Sequence, residues 1–149
     1  MIPDSMGIEA QVPLRPTDMH FEKLLRRGGF SKVTPMLDKF SLTGTVSGTL
    51  LHVVNFGVPV TLEEAIERAG MDSLQPALLD HLLTLCRRER EMSFTNPLVF
   101  PGSAWRVGRS IRTTFFPYVM DGYRYRRHLR ARSNEREFGT NWRFAMVLN

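Results

Sequence analysis

Two consecutive helix signatures constrain this chain more than any other feature. Thr61-Leu62-Glu63-Glu64 has the pattern of a capping box, in which the threonine hydroxyl accepts from the Glu64 amide and the glutamate carboxylate reaches back to the threonine amide. Leu62, Ala65, Ile66 and Ala69 then share a face, and Gly70 marks the stop. After Met71-Asp72-Ser73, a stripe of Leu78, Leu79, Leu82, Leu83 and Cys86 predicts a longer helix from about Leu74 to Arg90. Asp80, His81, Thr84, Arg87 and Arg88 fall on its other face, with the cations at the end that suits the helix dipole. A core of Leu62, Ile66, Leu78, Leu79, Leu82 and Leu83 follows from these two faces.

Weaker signals extend the helical pattern. Thr17 or Asp18 can cap a short helix through Met19, Phe21, Leu24 and Leu25 that ends at Gly28-Gly29, and Thr34-Pro35 can open another through Met36, Leu37 and Phe40. From Thr43 to Phe56, Val46, Leu50, Val53 and Phe56 fit a helical face, although the β-branched content also suits a strand; the expectation adopted is helix. Met92 to Thr95 and Ala104 to Val107 read as an irregular hairpin, and a helix is expected from about Pro117 towards Arg132, weakened by Gly122. The expected fold class is therefore mainly α, with α+β open. It comprises a Pro-rich extended arm (1–16), a small helical body with a short hairpin (17–107) and an extended Arg/aromatic-rich C-terminal segment (108–149).

Helix, extended Val58-Pro59-Val60, capped helix from Thr61, turn at Gly70, long helix from Leu74 and hairpin together resemble a winged-helix domain over about Thr43 to Val107. The resemblance implies that Leu74 to Arg90 is the third helix, which DNA-binding members lay in the major groove. Here that helix presents Gln75, Asp80, His81 and Thr84 early and cations only at Arg87, Arg88 and Arg90, a departure from ordinary base readout. Winged helices also serve as protein-interaction modules.

The net charge of +5 is unevenly spread. Residues 1–100 hold 10 Lys+Arg against 12 Asp+Glu, and residues 101–149 hold 10 against 3, all ten cations there being arginine. Arginine offers a planar fork of donors to phosphate or carboxylate and stacks on aromatic rings, so clustered arginines among Phe, Tyr and Trp point to contact with a partner. The residues assigned to that contact are Arg106, Arg109, Arg112, Tyr118, Tyr123, Arg124, Tyr125, Arg126, Arg127, Arg130, Arg132 and Trp142. The competing reading is that these aromatics complete the chain's own core.

Catalytic equipment is not visible in the sequence. His20, His52, His81 and His128 lie far apart without zinc-ligand spacing, and Gly28-Gly29 lacks the Lys-Ser/Thr continuation of a phosphate loop. Asp80 and His81 are adjacent, but helix neighbours point about 100 degrees apart and seldom cooperate. No catalytic residue, metal or cofactor is expected. The N-terminus lacks a basic stretch followed by an apolar block, the run from Ser41 to Leu62 is too polar to span a bilayer, and Cys86 is the single cysteine. An intracellular, non-secreted protein is expected.

The expected function is that of a non-catalytic accessory subunit of a larger multiprotein assembly, with an organellar respiratory, ATP-synthase or ribosomal complex, for example in the mitochondrion, as the candidate setting. The alternative is a winged-helix-like nucleic-acid-binding module or regulator, with RNA or DNA phosphates on the arginines and bases on Tyr123 or Tyr125. The same cations would also permit contact with anionic lipid.

Overall fold

Strand pairing, more than helix packing, organises the described residues of this chain. The structure is a computed structural model that describes residues 2–16, 21–34, 40, 42, 46, 48–106, 114–134 and 136–148. In strand β3 (Thr49–Asn55), Leu51 and Val53 face one apolar cluster while Val54 faces another, and all three are buried because the sheet is covered on both sides. The same parity runs through β9 (Arg143–Leu148), where Ala145 and Val147 join the first cluster and Phe144 and Met146 the second.

Nine strands form one mixed sheet among the described residues. The others are β1 (Gly7–Leu14), β2 (Phe30–Val33), β4 (Leu74–Pro76), β5 (Leu98–Val99), β6 (Trp105–Arg106), β7 (Thr114–Asp121) and β8 (Arg127–Ser133). Their order is β1-β3-β9-β5-β7-β8-β2, with β4 also on β9 and β6 also on β7. The β5–β9 and β2–β8 pairs are parallel and the rest antiparallel.

Three helices complete the layers. Helix α1 (Phe21–Arg27) and helix α3 (Leu79–Arg88) pack together, and Leu25, Leu79, Leu82, Leu83 and Leu85 join the first cluster. Helix α2 (Leu62–Met71) covers the opposite face, placing Leu62, Ala65 and Ala69 against Phe138, Phe144 and Met146. Its start is the capping box that the sequence announces, with Glu64 N–H donating to Thr61 Oγ1 (3.1 Å) and Thr61 N–H to Glu64 Oε1 (3.0 Å). Helix α3 is capped partly from outside: Leu79 N–H donates to Ser103 Oγ (2.7 Å), while Leu78 N–H donates to Nδ1 of His81 in the helix's own first turn (2.9 Å). No helix among the described residues is long and apolar enough to cross a membrane.

These elements overturn the expectation of a mainly α, helical protein. The segment leaned towards helix from Thr43 to Phe56 contributes β3, because its apolar residues satisfy two faces at once rather than one stripe. The long helix expected from Leu74 begins only at Leu79, since Leu74–Pro76 is engaged as a strand by β9. Asp80 and Thr84, expected on its solvated face, are buried, with Thr84 Oγ1 donating to the Asp80 carbonyl oxygen (2.9 Å). The expected helix from Pro117 to Arg132 is instead β7, a tight turn and β8; of the expected hairpin, residues 92–95 form no strand, while Trp105–Arg106 is β6 and pairs with β7.

The C-terminal segment is not an extension. Its strands β7, β8 and β9 lie inside the sheet, and β9 runs between β3 on one side and β4 and β5 on the other. Residues of the three expected segments are thus interleaved, with β1 from the arm, β3 from the body and β9 from the C-terminal third as successive neighbours. Across about Thr43 to Val107, the span of the winged-helix resemblance, the described elements are β3, α2, β4, α3, β5 and β6. The helices proposed around Thr17–Met19 and Pro35–Leu37 start at residues outside those described.

Candidate nucleic-acid interface

Strand parity sorts the basic run of β8 into an interior and an exterior set. Arg127, Leu129 and Ala131 point to the side of α1 and α3, and His128, Arg130 and Arg132 point to the other. On that second side α2 packs against β4, which pairs with β9 and is separated from β8 by β5 and β7. The outward row of β8 is only half-buried.

Arg127 goes inward and is 6% exposed. Its Nη1 donates to the carbonyl oxygens of Gly28 (2.6 Å) and Cys86 (2.8 Å), and its Nη2 lies within reach of those of Glu89 (2.9 Å), Met92 (3.2 Å) and Arg90 (3.3 Å). The guanidinium also sits 4.9 Å from the centre of the Phe94 ring. It therefore closes the C-terminal end of α3, where carbonyls lack helical partners, and holds α1, α3 and β8 together.

The turn from β7 to β8 projects the residues that remain outside. Gly122 N–H donates to the Arg126 carbonyl oxygen (2.6 Å), and Tyr123–Tyr125 form a single 3-10 turn in which Arg124 adopts φ 60°, ψ 33°. A non-glycine residue in this left-handed region stores about 1–3 kcal/mol of strain. Glycine at 122 leaves room for the His128 ring, since a Cβ there would stand 2.2 Å from His128 Cε1 and displace it. At the tip, Tyr123 is 81% exposed, and the Arg124 guanidinium lies 5.4 Å from its ring centre.

Ser31, Lys32, Tyr123, Arg124, Arg126 and His128 line one groove of about 390 Å³. A second cleft of about 640 Å³ shares Ser31 and Arg126 with it and adds Arg90, Ser93, Glu91 and Asp121. Asp121 is already engaged, accepting from Phe94 N–H (2.9 Å) and Ser93 Oγ (3.2 Å). Lys32 and His128 are register partners on β2 and β8, so both side chains face the same side of the sheet. Burial, with the neighbouring Arg130 and Lys32 cations, holds the His128 pKa below its usual value, against an opposing pull from Asp121.

The remaining partner-contact residues are dispersed. Arg132 stacks over Phe138 (3.9 Å) and Trp142 (4.6 Å) and donates to the Glu137 carbonyl oxygen (2.7 Å). Tyr118 and Trp142 meet edge-to-face at 4.9 Å and pack against the second cluster, so these rings serve the chain's own interior. Arg106 is exposed on β6, and Arg130 is half-buried with Nη2 3.2 Å from His128 Nδ1. Arg109, Arg112 and the Tyr125 side chain lie outside the described residues.

The groove thus joins Tyr123, Arg124 and Arg126 from the assigned set with Lys32 and His128, and the adjoining cleft adds Arg90, all three of which sequence reasoning missed. The signal that could have found them is Asp121-Gly122, a strong hairpin dipeptide, followed by the alternation of Arg127 to Arg132. No group of three or more potential metal ligands occurs among the described residues. Burial pushes the Cys86 thiol up to about 12, despite the Arg127 cation, so it is not a thiolate nucleophile at neutral pH. Compared with protein-family models, characterised proteins and solved structures, the chain matches none.

Proposed function

We propose that this chain is a non-catalytic nucleic-acid-binding module that holds single-stranded RNA or DNA along the groove at the β7–β8 turn. The observation that carries the reading is the exposed Tyr123 ring, set beside Arg124 at the mouth of a groove that also holds Lys32 and Arg126. Single strands are bound by this combination, an aromatic platform for a base with cations that follow the backbone. Lipid contact would not need an upright tyrosine flanked by a groove.

A second reading, an accessory subunit docked into a multiprotein assembly, draws support from the exposed Met71 and Leu148 side chains. It lacks Tyr118 and Trp142 as exposed anchors, because both rings are turned inward. Fluorescence anisotropy with a labelled oligothymidylate and an oligouridylate across a salt series tests the proposal. Binding should weaken steeply with salt, and Tyr123→Ala should cost about 1–3 kcal/mol of affinity without changing the fold. Absence of binding to either oligonucleotide at low salt would refute it.

A further inference from the structure

The histidine in this groove has a geometry that its cationic neighbours alone do not explain. Arginine carries only donors, so the 3.2 Å approach of Arg130 Nη2 to His128 Nδ1 requires a bare ring nitrogen that accepts. The ring lies against Gly122 so closely that no Cβ fits between them in this pose. Its register neighbours are Lys32 on β2 and Met120 on β7. The charged groups facing it are Lys32 from β2, Arg130 from its own strand, Arg124 and Arg126 from the turn, and Asp121 from the end of β7.

We propose that His128 takes up a proton from solvent as a phosphate backbone enters the groove, so that single-strand binding tightens as pH falls. The proposal rests on the nucleic-acid reading of this site. Phosphate charge beside Lys32 and Arg126 offsets the repulsion that disfavours a charged ring, which raises its proton affinity when the strand is bound. Protonation also ends the Arg130 to Nδ1 hydrogen bond, because both partners are then donors. Arg130 is released to reach a phosphate oxygen, and one proton thereby supplies a new charge and frees an existing one.

By linkage, each unit by which the bound strand raises the ring's pKa tightens binding about tenfold across the titration. The test measures the dissociation constant of a labelled oligothymidylate at about pH 8 and about pH 5.5, values that bracket an ordinary histidine titration. Ionic strength is held constant, and the full chain is compared with His128→Gln. Wild type should bind about tenfold tighter at the lower pH, and the ratio of the variant's affinities at the two pH values should fall to near one whatever its affinity at the higher pH.

As a measurement that needs no variant, the His128 ring resonance should titrate at higher pH with the oligonucleotide bound than without it. Equal wild-type affinity at both pH values, a gain retained by His128→Gln, or an unmoved ring titration would overturn the proposal and leave the nucleic-acid reading standing. No binding at either pH would overturn both.

Discussion

Replacing Arg127 by methionine should be among the most damaging single changes in this protein. Methionine keeps an unbranched apolar stem of similar length and removes the fork, so the loss reports the polar contacts rather than a large cavity. The contacts to the Gly28 and Cys86 carbonyls are fully buried, whereas those to Glu89, Arg90 and Met92 lie nearer solvent, where water can replace part of them. Two buried acceptors left without a donor cost about 1–3 kcal/mol each. Loss of the outer contacts and of the stacking on Phe94 adds about 1 kcal/mol, while relief from burying an uncompensated cation returns a similar amount.

The net expectation is a destabilisation of about 2–6 kcal/mol, which for a chain of this size lowers the thermal midpoint by on the order of 10 °C. Arg127→Lys should recover only part of it, since one ammonium cannot reach acceptors on both sides of the fork. Urea unfolding followed by circular dichroism measures both values. A methionine variant within about 1 kcal/mol of wild type would refute the idea that this guanidinium joins α1, α3 and β8.

Leu82 is fully buried in the first cluster, so Leu82→Ala should cost about 2–5 kcal/mol in the same assay. His81 accepts from Leu78 N–H only when its Nδ1 is bare, and burial lowers its pKa against a smaller opposing pull from Asp80. The unfolded ring binds protons more readily, so this contribution is fully present above the unfolded value of about 6.5 and fades as pH falls through the folded value. His81→Gln should flatten that part of the stability–pH curve; an unchanged curve would show that another group is responsible. Removing residues 108–149 takes away β7, β8 and β9, so the remainder should lack a cooperative unfolding transition, and a folded fragment of residues 1–107 would contradict the sheet order.

What could be read from the sequence divides along the range of the interactions. The α2 capping box lies within Thr61–Glu64, and the stripe from Leu79 to Cys86 repeats within one helix, so local spacing revealed both. Strands are specified by partners far away. Leu98 and Val99 meet Arg143 and Phe144, and neither pair of residues carries a signal of the other. Thr49–Asn55 has apolar residues on both faces, which erases the alternation that would have distinguished it from a helix.

The candidate site was legible as chemistry but not as placement. Arginine and tyrosine near residue 124 were visible, yet whether a given arginine is a strut or a free cation depends on strand parity, which puts Arg127 inside and His128 outside. Lys32 is nearly a hundred residues away in the chain and reaches the groove only through the parallel β2–β8 pairing.

The place of β9 in the middle of the sheet bears on how this protein is made. Translation delivers β3, β4 and β5 long before Arg143–Leu148, the strand to which all three are hydrogen-bonded. Until then their edges are unsatisfied and their apolar faces exposed, the condition in which nascent chains pair with one another. The sheet must therefore wait for β9, slowed by the closure of long loops, and chaperones that shield β3 and β5 on the ribosome should raise the yield of native protein.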